Sequence, residues 1–278
     1  MSIQRAFIHT TFGLIHYRTA GSKNVDKRPI FMLHASPASS KFLEPIIQLV
    51  ASNRWVIAPD TLGCGDSAPP STVEPDMLFY ARSIIAMADE LGIDEFDLYG
   101  THTGSHIAIE IAIANPSRIK CLLLDGVAIL SEKEQQDHLM YYAPPQKIAE
   151  MGEHFSWAWS FIREQMLFYP HYKKTVEHLR PGGSLDAKFI HDLAIDVLKN
   201  IETYHQAYEA VFKHEVKQRL PLIPQPVLLF KEADSVLDVA TDETLQLLKN
   251  GKLAEVLIDD FELALKFKAD TVESFCLG

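Results

Sequence analysis

The architecture of this chain follows from Phe96-Asp97-Leu98-Tyr99-Gly100-Thr101-His102-Thr103-Gly104, a short strand that runs into a turn with a glycine at each end. Residues 105–114 follow as a predicted helix that is apolar on nearly every face. Because glycine has no Cβ, the strand and the helix can approach closely while the residue at the apex takes a strained conformation. The apex residue here is His102.

This turn matches the pattern Gly-x-Ser-x-Gly, the nucleophile elbow, in which a serine at the apex points away from the sheet. In this chain His102 stands at the position of that serine. Every functional hypothesis for the chain therefore depends on what an imidazole does at the apex.

Strands and helices alternate through the first half of the chain. We predict a hairpin followed by buried strands, several of which end at a polar residue, with helices between them. The predicted strands are Ala6–Thr11, Leu14–Thr19, Ile30–Leu33, Trp55–Ala58 and Ile119–Leu124, and the predicted helices are Phe42–Val50 and Met77–Leu91. This alternation predicts an α/β fold with a mostly parallel sheet flanked by helices. His34, Asp60, His102 and Asp125 closely follow strands, so we expect them at one edge of the sheet.

The pattern changes between residues 131 and 219, where aromatic residues are frequent and we find no buried strand. We predict a helical cap over 131–219, inserted into a core made of residues 1–130 and 220–278. Histidines of this region such as His138 could reach into the pocket, but without a fixed register we favour positions at the surface or in packing contacts. The α/β pattern then returns, with predicted strands Pro226–Phe230 and Leu253–Ile258 and predicted helices Thr241–Leu248 and Phe261–Phe275.

The composition is that of an ordinary globular protein. Of 278 residues, 47% are hydrophobic and 23% are charged, and the net charge of -11 argues against nucleic acid or an anionic membrane as a partner. No apolar run approaches the roughly 20 residues that span a bilayer, and the N-terminus lacks the apolar core of a signal peptide. The three widely spaced cysteines suggest neither a disulfide framework nor a zinc site. We expect a cytoplasmic protein that acts on a small molecule without a cofactor or metal, and the residues do not indicate an oligomeric state.

Several motifs in order resemble the α/β-hydrolase superfamily. His34-Ala35-Ser36-Pro37 is similar to the family's His-Gly-x-Pro loop, with Ala35 in place of glycine. Asp60-Thr61-Leu62-Gly63-Cys64-Gly65-Asp66-Ser67 is similar to its Asp-x-x-Gly-x-Gly-x-Ser turn. Lys231-Glu232-Ala233-Asp234 resembles its Gly-x-x-Asp segment, with lysine in place of glycine. With the elbow, these motifs span nearly the whole chain.

The resemblance implies a site with three parts. The first is an oxyanion hole formed by the backbone N–H groups of Ala35 and Thr103, with His34 and Ser36 in the same substrate-binding loop. The second is a catalytic acid at Asp234. The third, a histidine just after the last strand, is missing here, because the final histidine of the chain is His214. The family triad is therefore degenerate at two of its three positions.

Two hypotheses for His102 remain open. In the first, His102 is the working base or nucleophile, and Asp125 or Asp234 fixes its tautomer. An imidazole with an ordinary pKa near about 6.5 exchanges protons at neutral pH. In the second, the chain is a catalytically inactive homologue that binds a small ligand, because a fold alone does not establish a function. We favour an enzyme, since the oxyanion loop, the elbow and the acid are all kept.

A metal site is the third hypothesis. His102 and His106 are four residues apart at the start of a helix, where two histidines can share a metal, and His34 is expected nearby. His106 lies one helical turn below the apex, where the helix packs into the core. We therefore favour a hydrogen-bonded core histidine at this position.

Overall fold

One eight-stranded sheet forms the centre of the part of the protein that the structure describes. The structure is a computed structural model and describes residues 2–23, 26–180, 185–232, 235, 237–258 and 260–276. The strands are β1 (Gln4–Thr10), β2 (Gly13–Ala20), β3 (Ile30–Leu33), β4 (Val56–Pro59), β5 (Phe96–Thr101), β6 (Ile119–Asp125), β7 (Val227–Glu232) and β8 (Gly251–Val256). Their order across the sheet is β1-β2-β4-β3-β5-β6-β7-β8. β1 and β2 form the predicted hairpin, β2 pairs antiparallel with β4, and all later pairs are parallel.

Helices cover both faces of this sheet. They are α1 (Glu44–Val50), α2 (Met77–Glu90), α3 (Thr103–Ala114), α4 (Glu132–Tyr141), α5 (Glu153–Leu167), α6 (Ala187–Lys199), α7 (Tyr204–Phe212), α8 (Val216–Arg219), α9 (Asp238–Leu247) and α10 (Phe261–Cys276). Single 3-10 turns occur at Ser40–Leu43, Val176–His178 and Leu220–Leu222. The α/β class and the mostly parallel sheet are therefore confirmed.

The strands alternate their side chains between two hydrophobic cores. Phe31 and Leu33 of β3 face the core that contains α2 and α3, whereas Ile30 and Met32 face the core that contains α1 and α10. Residues that follow one another in a strand point to opposite faces, so a strand covered on both sides is apolar throughout. This explains why β3, β4 and β5 are buried along their whole length.

The last strand is shifted from its predicted position. The apolar run predicted a strand over Leu253–Ile258, but β8 occupies Gly251–Val256 and Leu257 is exposed. β8 pairs only with β7, beginning at Gly251 opposite Val227. An edge strand buries fewer of its side chains, so its apolar residues do not mark its ends.

Helices α4 to α8 lie between β6 and β7 along the chain, and we call them the inserted helices. Among the described residues of this region we find no sheet strand, only an isolated bridge between Phe168 and Leu179. The division into a core and a cap at 131–219 stays a prediction. Within the described ranges, no helix combines the length and the apolar character needed to cross a membrane.

Candidate active site

The backbone at His102 is strained. Its φ is 48° and its ψ is -109°, and within the described ranges no other non-glycine residue has a positive φ. β5 ends at Thr101 and α3 begins at Thr103, so the whole change of direction falls on this one residue. The His102 N–H donates to the backbone oxygen of Asp125 (3.0 Å), which keeps the apex attached to β6. Strain of this kind persists where the surrounding structure imposes it, and it is concentrated at functional sites.

The two glycines of the turn are required by close packing. A Cβ at Gly104 would lie 2.1 Å from the backbone oxygen of Leu33, and a Cβ at Gly100 would lie 2.4 Å from the backbone oxygen of Gly104. No side chain fits at either position, because helix α3 starts directly on strands β3 and β5. The sequence pattern of the elbow therefore has the structural cause that we expected for it.

A cavity of about 280 Å³ lies beside the elbow, between the sheet and the inserted helices. His102 lines this cavity: its ring is accessible from the cavity, while protein atoms packed around it exclude much of the bulk water. Most of the wall is apolar, with contributions from Phe42, Ile162, Met166, Leu193, Val211 and Phe212. Concave, mostly apolar spaces with a few polar groups are typical of small-molecule sites.

His102 is held in its neutral form. Burial lowers its pKa, while the negative charges of Asp125 and Glu232 act in the opposite direction, and the positive charge of Lys268 adds to the lowering. A neutral imidazole has a free lone pair. At neutral pH His102 can therefore accept a proton or attack an electrophile.

The predicted oxyanion loop lies directly against the elbow. The N–H of Ser36 donates to Oγ1 of Thr103 (3.1 Å), and the hydroxyl of Tyr208 donates to the backbone oxygen of Ser36 (2.9 Å). Ala35, Ser36 and Thr103 all line the cavity. The structure thus brings three of the predicted residues together beside His102. The elbow motif does not indicate the contact through the Thr103 side chain, because the motif specifies only the backbone of that residue.

Both ring nitrogens of His34 form hydrogen bonds within the protein. Its Nδ1 donates to the backbone oxygen of Ala35 (2.9 Å), and its Nε2 accepts from the N–H of Thr61 (2.9 Å). Burial lowers the pKa of His34, which fits a neutral ring with one donor and one acceptor. Its ring joins the oxyanion loop to the turn that begins at Asp60, and it is absent from the described cavity wall.

The Asp125 carboxylate forms its hydrogen bonds with groups other than the His102 ring. Its Oδ2 accepts from the Tyr99 hydroxyl (2.5 Å) and from the Lys268 ammonium (2.7 Å), which also contacts Glu232 (2.5 Å). Among the described residues we find no hydrogen bond between Asp125 and the imidazole. Asp125 therefore acts on His102 through its charge and through its backbone oxygen. The other candidate orienting acid, Asp234, lies outside the described residues.

His106 begins a chain of buried polar groups. Its Nδ1 lies 2.8 Å from Nδ1 of His214, whose Nε2 lies 2.8 Å from Oε1 of Glu110. The guanidinium of Arg219 donates two hydrogen bonds to the Glu110 carboxylate (2.7 Å each). We call this set the His106–Arg219 network. It links α3 to the segment after α7.

This network bears on the metal hypothesis. The Nε2 of His106 accepts from the N–H of Ala128 (3.2 Å), so both ring nitrogens of His106 have partners inside the protein. Both nitrogens of His34 are also occupied. Neither histidine presents a free nitrogen to a metal at His102.

The region between β6 and β7 supplies further groups to the cavity. His138 is buried in packing contacts, as one of its expected positions allowed, and it also lines the cavity. Arg180 also lines the cavity, and Tyr208 anchors the oxyanion loop. Tyr142 stacks on His138, with ring centroids 5.0 Å apart. The sequence offered only an excess of aromatic residues as a signal, because helical register alone does not say which of them face inward.

Asp60 organises the loops on the other side of the site. Its carboxylate accepts from the N–H groups of Ser40 (2.8 Å) and Asp66 (2.9 Å) and pairs with His16 (2.7 Å). Although burial raises the pKa of Asp60, the hydrogen bonds outweigh it and hold the pKa well below its usual range. A Cβ at Gly65 would lie 2.1 Å from Oδ2, so the glycine of this turn is needed for the carboxylate to fit.

Comparisons with known proteins agree with this geometry. The sequence profile of the α/β hydrolase fold matches residues 28–151, which run from β3 through the elbow to the loop before α5. A proline iminopeptidase of Clostridium botulinum is 34% identical over 134 residues, and a 2-hydroxymuconate semialdehyde hydrolase of Pseudomonas sp. (strain CF600) is 33% identical over 106 residues. These alignments cover 45% and 37% of this chain and 45% and 38% of the relatives. The chain therefore matches less than half the length of either relative.

Solved structures share the architecture over the whole chain. The enol-lactonase from Burkholderia xenovorans LB400 superposes with a TM-score of 0.73 at 15% identity, covering 98% of this chain and 100% of that one. The epoxide hydrolase CorEH superposes with a TM-score of 0.71 at 18% identity, covering 99% and 98%. The profile match, the sheet order and the superposed structures show that this chain has the α/β-hydrolase fold.

Proposed function

We propose that this protein is a small-molecule enzyme of the α/β-hydrolase superfamily that acts on a largely apolar, carbonyl-containing substrate, with His102 as the reacting side chain. The observation that carries the proposal is the strained backbone of His102 at the wall of the cavity. Because the connection between β5 and α3 imposes this conformation, glycine is the residue that an apex without a role would favour. The strained backbone of His102, combined with the accessibility of its imidazole from the cavity, supports a chemical role for this residue.

The reaction that fits these groups is hydrolysis with His102 as general base. Neutral His102 takes a proton from water while the water oxygen bonds to the substrate carbonyl carbon. The carbonyl electron pair moves onto its oxygen, which the backbone N–H groups of Ala35 and Thr103 would stabilise as an oxyanion. When the oxyanion collapses, the bond to the leaving group breaks, and the imidazolium returns its proton to that group. This cycle requires neither a serine at the apex nor a late histidine.

The relatives indicate which compounds to test first. One bears the name of a proline iminopeptidase and another that of a hydrolase of 2-hydroxymuconate semialdehyde. A suitable panel therefore contains proline p-nitroanilide, conjugated semialdehydes and p-nitrophenyl esters of short acids. The cavity of about 280 Å³ favours the smaller members of each series.

The deciding experiment compares His102→Ala with the native enzyme on this panel. Loss of a general base lowers the rate by about 10²- to 10⁴-fold, and we expect a loss in this range. The matched control is His191→Ala, which removes an exposed histidine of α6 and should leave the rate unchanged. Turnover that survives His102→Ala would show that another group is the base.

One observation favours a second function, the binding of a small ligand without catalysis. The ring of His102 has no hydrogen-bonded carboxylate among the described residues, and the usual triad histidine is missing. A catalytically inactive homologue that binds a small ligand would show this pattern. In that case the panel would give binding with native protein and no turnover above the buffer rate with any compound.

A further inference from the structure

One cation lies in the wall of a cavity that is otherwise apolar or neutral. Among the described residues that line it, Arg180 is the single arginine, and neither lysine, aspartate nor glutamate is present. Burial lowers the pKa of the lining histidines His102, His106 and His138, so these rings are neutral at neutral pH. The charge of the cavity wall therefore comes from Arg180.

Arg180 has hydrogen bonds but no counter-ion in the described part of the chain. Its Nη1 donates to the backbone oxygen of Gln165 (2.7 Å), and its own N–H donates to the backbone oxygen of Leu167 (2.9 Å). These bonds fix the guanidinium against the end of α5. No described carboxylate forms an ion pair with it, in contrast to Arg18, Arg54 and Arg219, each of which pairs with an acid.

The guanidinium is near the proposed reacting group. The charge of Arg180 contributes to lowering the pKa of His102 and acts on the Tyr142 and Tyr169 hydroxyls as well. Arg180 and His102 line the same cavity, so one small molecule can contact both. Arg180 is half-buried, and a guanidinium at the edge of an apolar space can hold a carboxylate by two parallel N–H bonds.

Further polar atoms of the wall lack partners. Oγ of Ser36, Nε2 of His138 and Nε2 of Gln165 are buried without a hydrogen bond to any described residue. Oγ of Ser36 and Nε2 of Gln165 can donate, so a ligand that satisfies them should carry acceptor oxygen atoms as well as an apolar body. Nε2 of the neutral His138 ring can only accept, because Nδ1 donates to the backbone oxygen of Glu134.

We infer that the cavity binds a small carboxylic acid, whose carboxylate pairs with Arg180 while its apolar body lies along the hydrophobic wall. This inference deepens the proposed function, on which it rests for the reacting end of the substrate: the carbonyl to be attacked would lie at His102 and the carboxylate at Arg180. The substrate class is then a keto acid or an acid carrying an ester or a lactone.

The test is calorimetric titration with 3-benzoylpropanoate and with its primary amide, which has the same shape and no charge. We expect native protein to bind the acid at least about tenfold more tightly than the amide, with a preference that falls as salt is added. Arg180→Gln should abolish this preference, and Arg180→Lys should retain part of it, because lysine keeps the charge without the two-pronged geometry.

A matched control variant tests whether the preference for the acid over the amide comes from Arg180 or from positive charge in general. Lys174→Gln removes a nearby surface cation that pairs with Glu164 (2.6 Å), and it should leave both affinities unchanged. Melting curves establish that each variant is folded. Equal binding of acid and amide by native protein, binding of neither, or a preference that survives in Arg180→Gln would overturn the inference.

The same set of proteins distinguishes this inference from the proposed function. His102→Ala should lose turnover and keep the preference for the acid. If the preference holds and no compound is turned over, the carboxylate site stands and the catalytic proposal fails. If neutral substrates are turned over through His102 and acids bind no better than amides, the catalytic proposal stands and the carboxylate site fails.

Discussion

The imidazole of His102 packs against Gly126, at which a Cβ would lie 3.0 Å from Nδ1 and 3.1 Å from Cε1. Gly126 follows β6 directly and has a φ of +86°. The glycine thus lets the chain leave the sheet and leaves room for the ring at the same time. The imidazole of His102 can occupy this position because residue 126 has no Cβ.

Gly126→Ala should therefore reduce activity or ligand binding more than it reduces the stability of the fold. The positive φ costs an alanine about 1 kcal/mol of stability, and the new methyl group would push the His102 ring from its place. We expect loss of most turnover or ligand binding with a modest drop in melting temperature. Activity and thermal unfolding, measured on the same preparation, test this.

The control is Gly92→Ala. Gly92 has a φ of +66°, and apart from its chain neighbours no described residue has an atom within 4 Å of an added Cβ, so this variant carries the backbone cost without a new contact. Its stability should fall about as much as that of Gly126→Ala, while its activity stays native. Equal activity of the two variants would show that the His102 ring does not depend on Gly126.

The strain at the apex predicts an unusual result for glycine. His102→Gly and His102→Ala both remove the imidazole, but only glycine accepts a φ of 48° with a ψ of -109° without cost. We expect His102→Gly to be more stable than His102→Ala by about 1 to 2 kcal/mol, and both to be inactive. Chemical denaturation measures the difference. An alanine variant as stable as the glycine variant would mean that the apex is not strained.

The sequence predicted those features that repeat a short local pattern. Two glycines four residues apart fixed the elbow, because both β5 and α3 must approach neighbouring backbone there. Polar residues after buried strands predicted that His34, His102 and Asp125 lie at one sheet edge, and the structure brings the loop of His34 to the elbow at Thr103.

The contacts made by side chains distant in sequence escaped prediction. Lys268 lies in the last helix and contacts Asp125 at the end of β6, so no local sequence pattern predicts the pair. His138 lies in α4 and Arg180 in the segment between α5 and α6, and no local sequence pattern indicates that either side chain lines the cavity. β8 began earlier than its apolar run, since its place at the edge of the sheet is set by pairing with β7.

The His106–Arg219 network predicts a loss of stability in acid. Although burial raises the pKa of Glu110, hydrogen bonds from His214 and Arg219 outweigh it and lower the pKa from 4.5 to about 2. A depressed carboxyl pKa contributes stability that is present above about pH 4.5 and lost as pH falls toward about 2. Glu110→Gln should cost about 2 kcal/mol at neutral pH.

This difference should shrink as the pH is lowered through that range, because the native Glu110 is then protonated as well. Denaturation curves at a series of pH values follow it. The matched control is Glu95→Gln, at an exposed carboxylate that pairs with Lys120 (2.7 Å), and it should change stability little at any pH. A constant difference between native protein and Glu110→Gln would contradict the assignment of this stability to the ionised carboxylate.

Asp125 and Lys268 should move the titration of His102 in opposite directions. The Asp125 charge raises the pKa of His102 and the Lys268 charge lowers it, against a background in which burial lowers it. Asp125→Asn should thus lower the pKa of His102 further, whereas Lys268→Met should raise it by leaving the Asp125 carboxylate uncompensated. Proton NMR of the imidazole ring, followed with pH, measures both changes directly.

The same pair distinguishes control by charge from a hydrogen-bonded dyad. A base works in its neutral form, so Asp125→Asn should extend activity to lower pH, and Lys268→Met should shift the acid limb of the rate profile upward. Neither variant removes a hydrogen bond from the His102 ring, so the maximal rate should change less than in His102→Ala. If Asp125→Asn lowered the maximal rate as much as His102→Ala and left the imidazole pKa unmoved, Asp125 would be orienting the ring directly, and the long-range electrostatic account would be wrong.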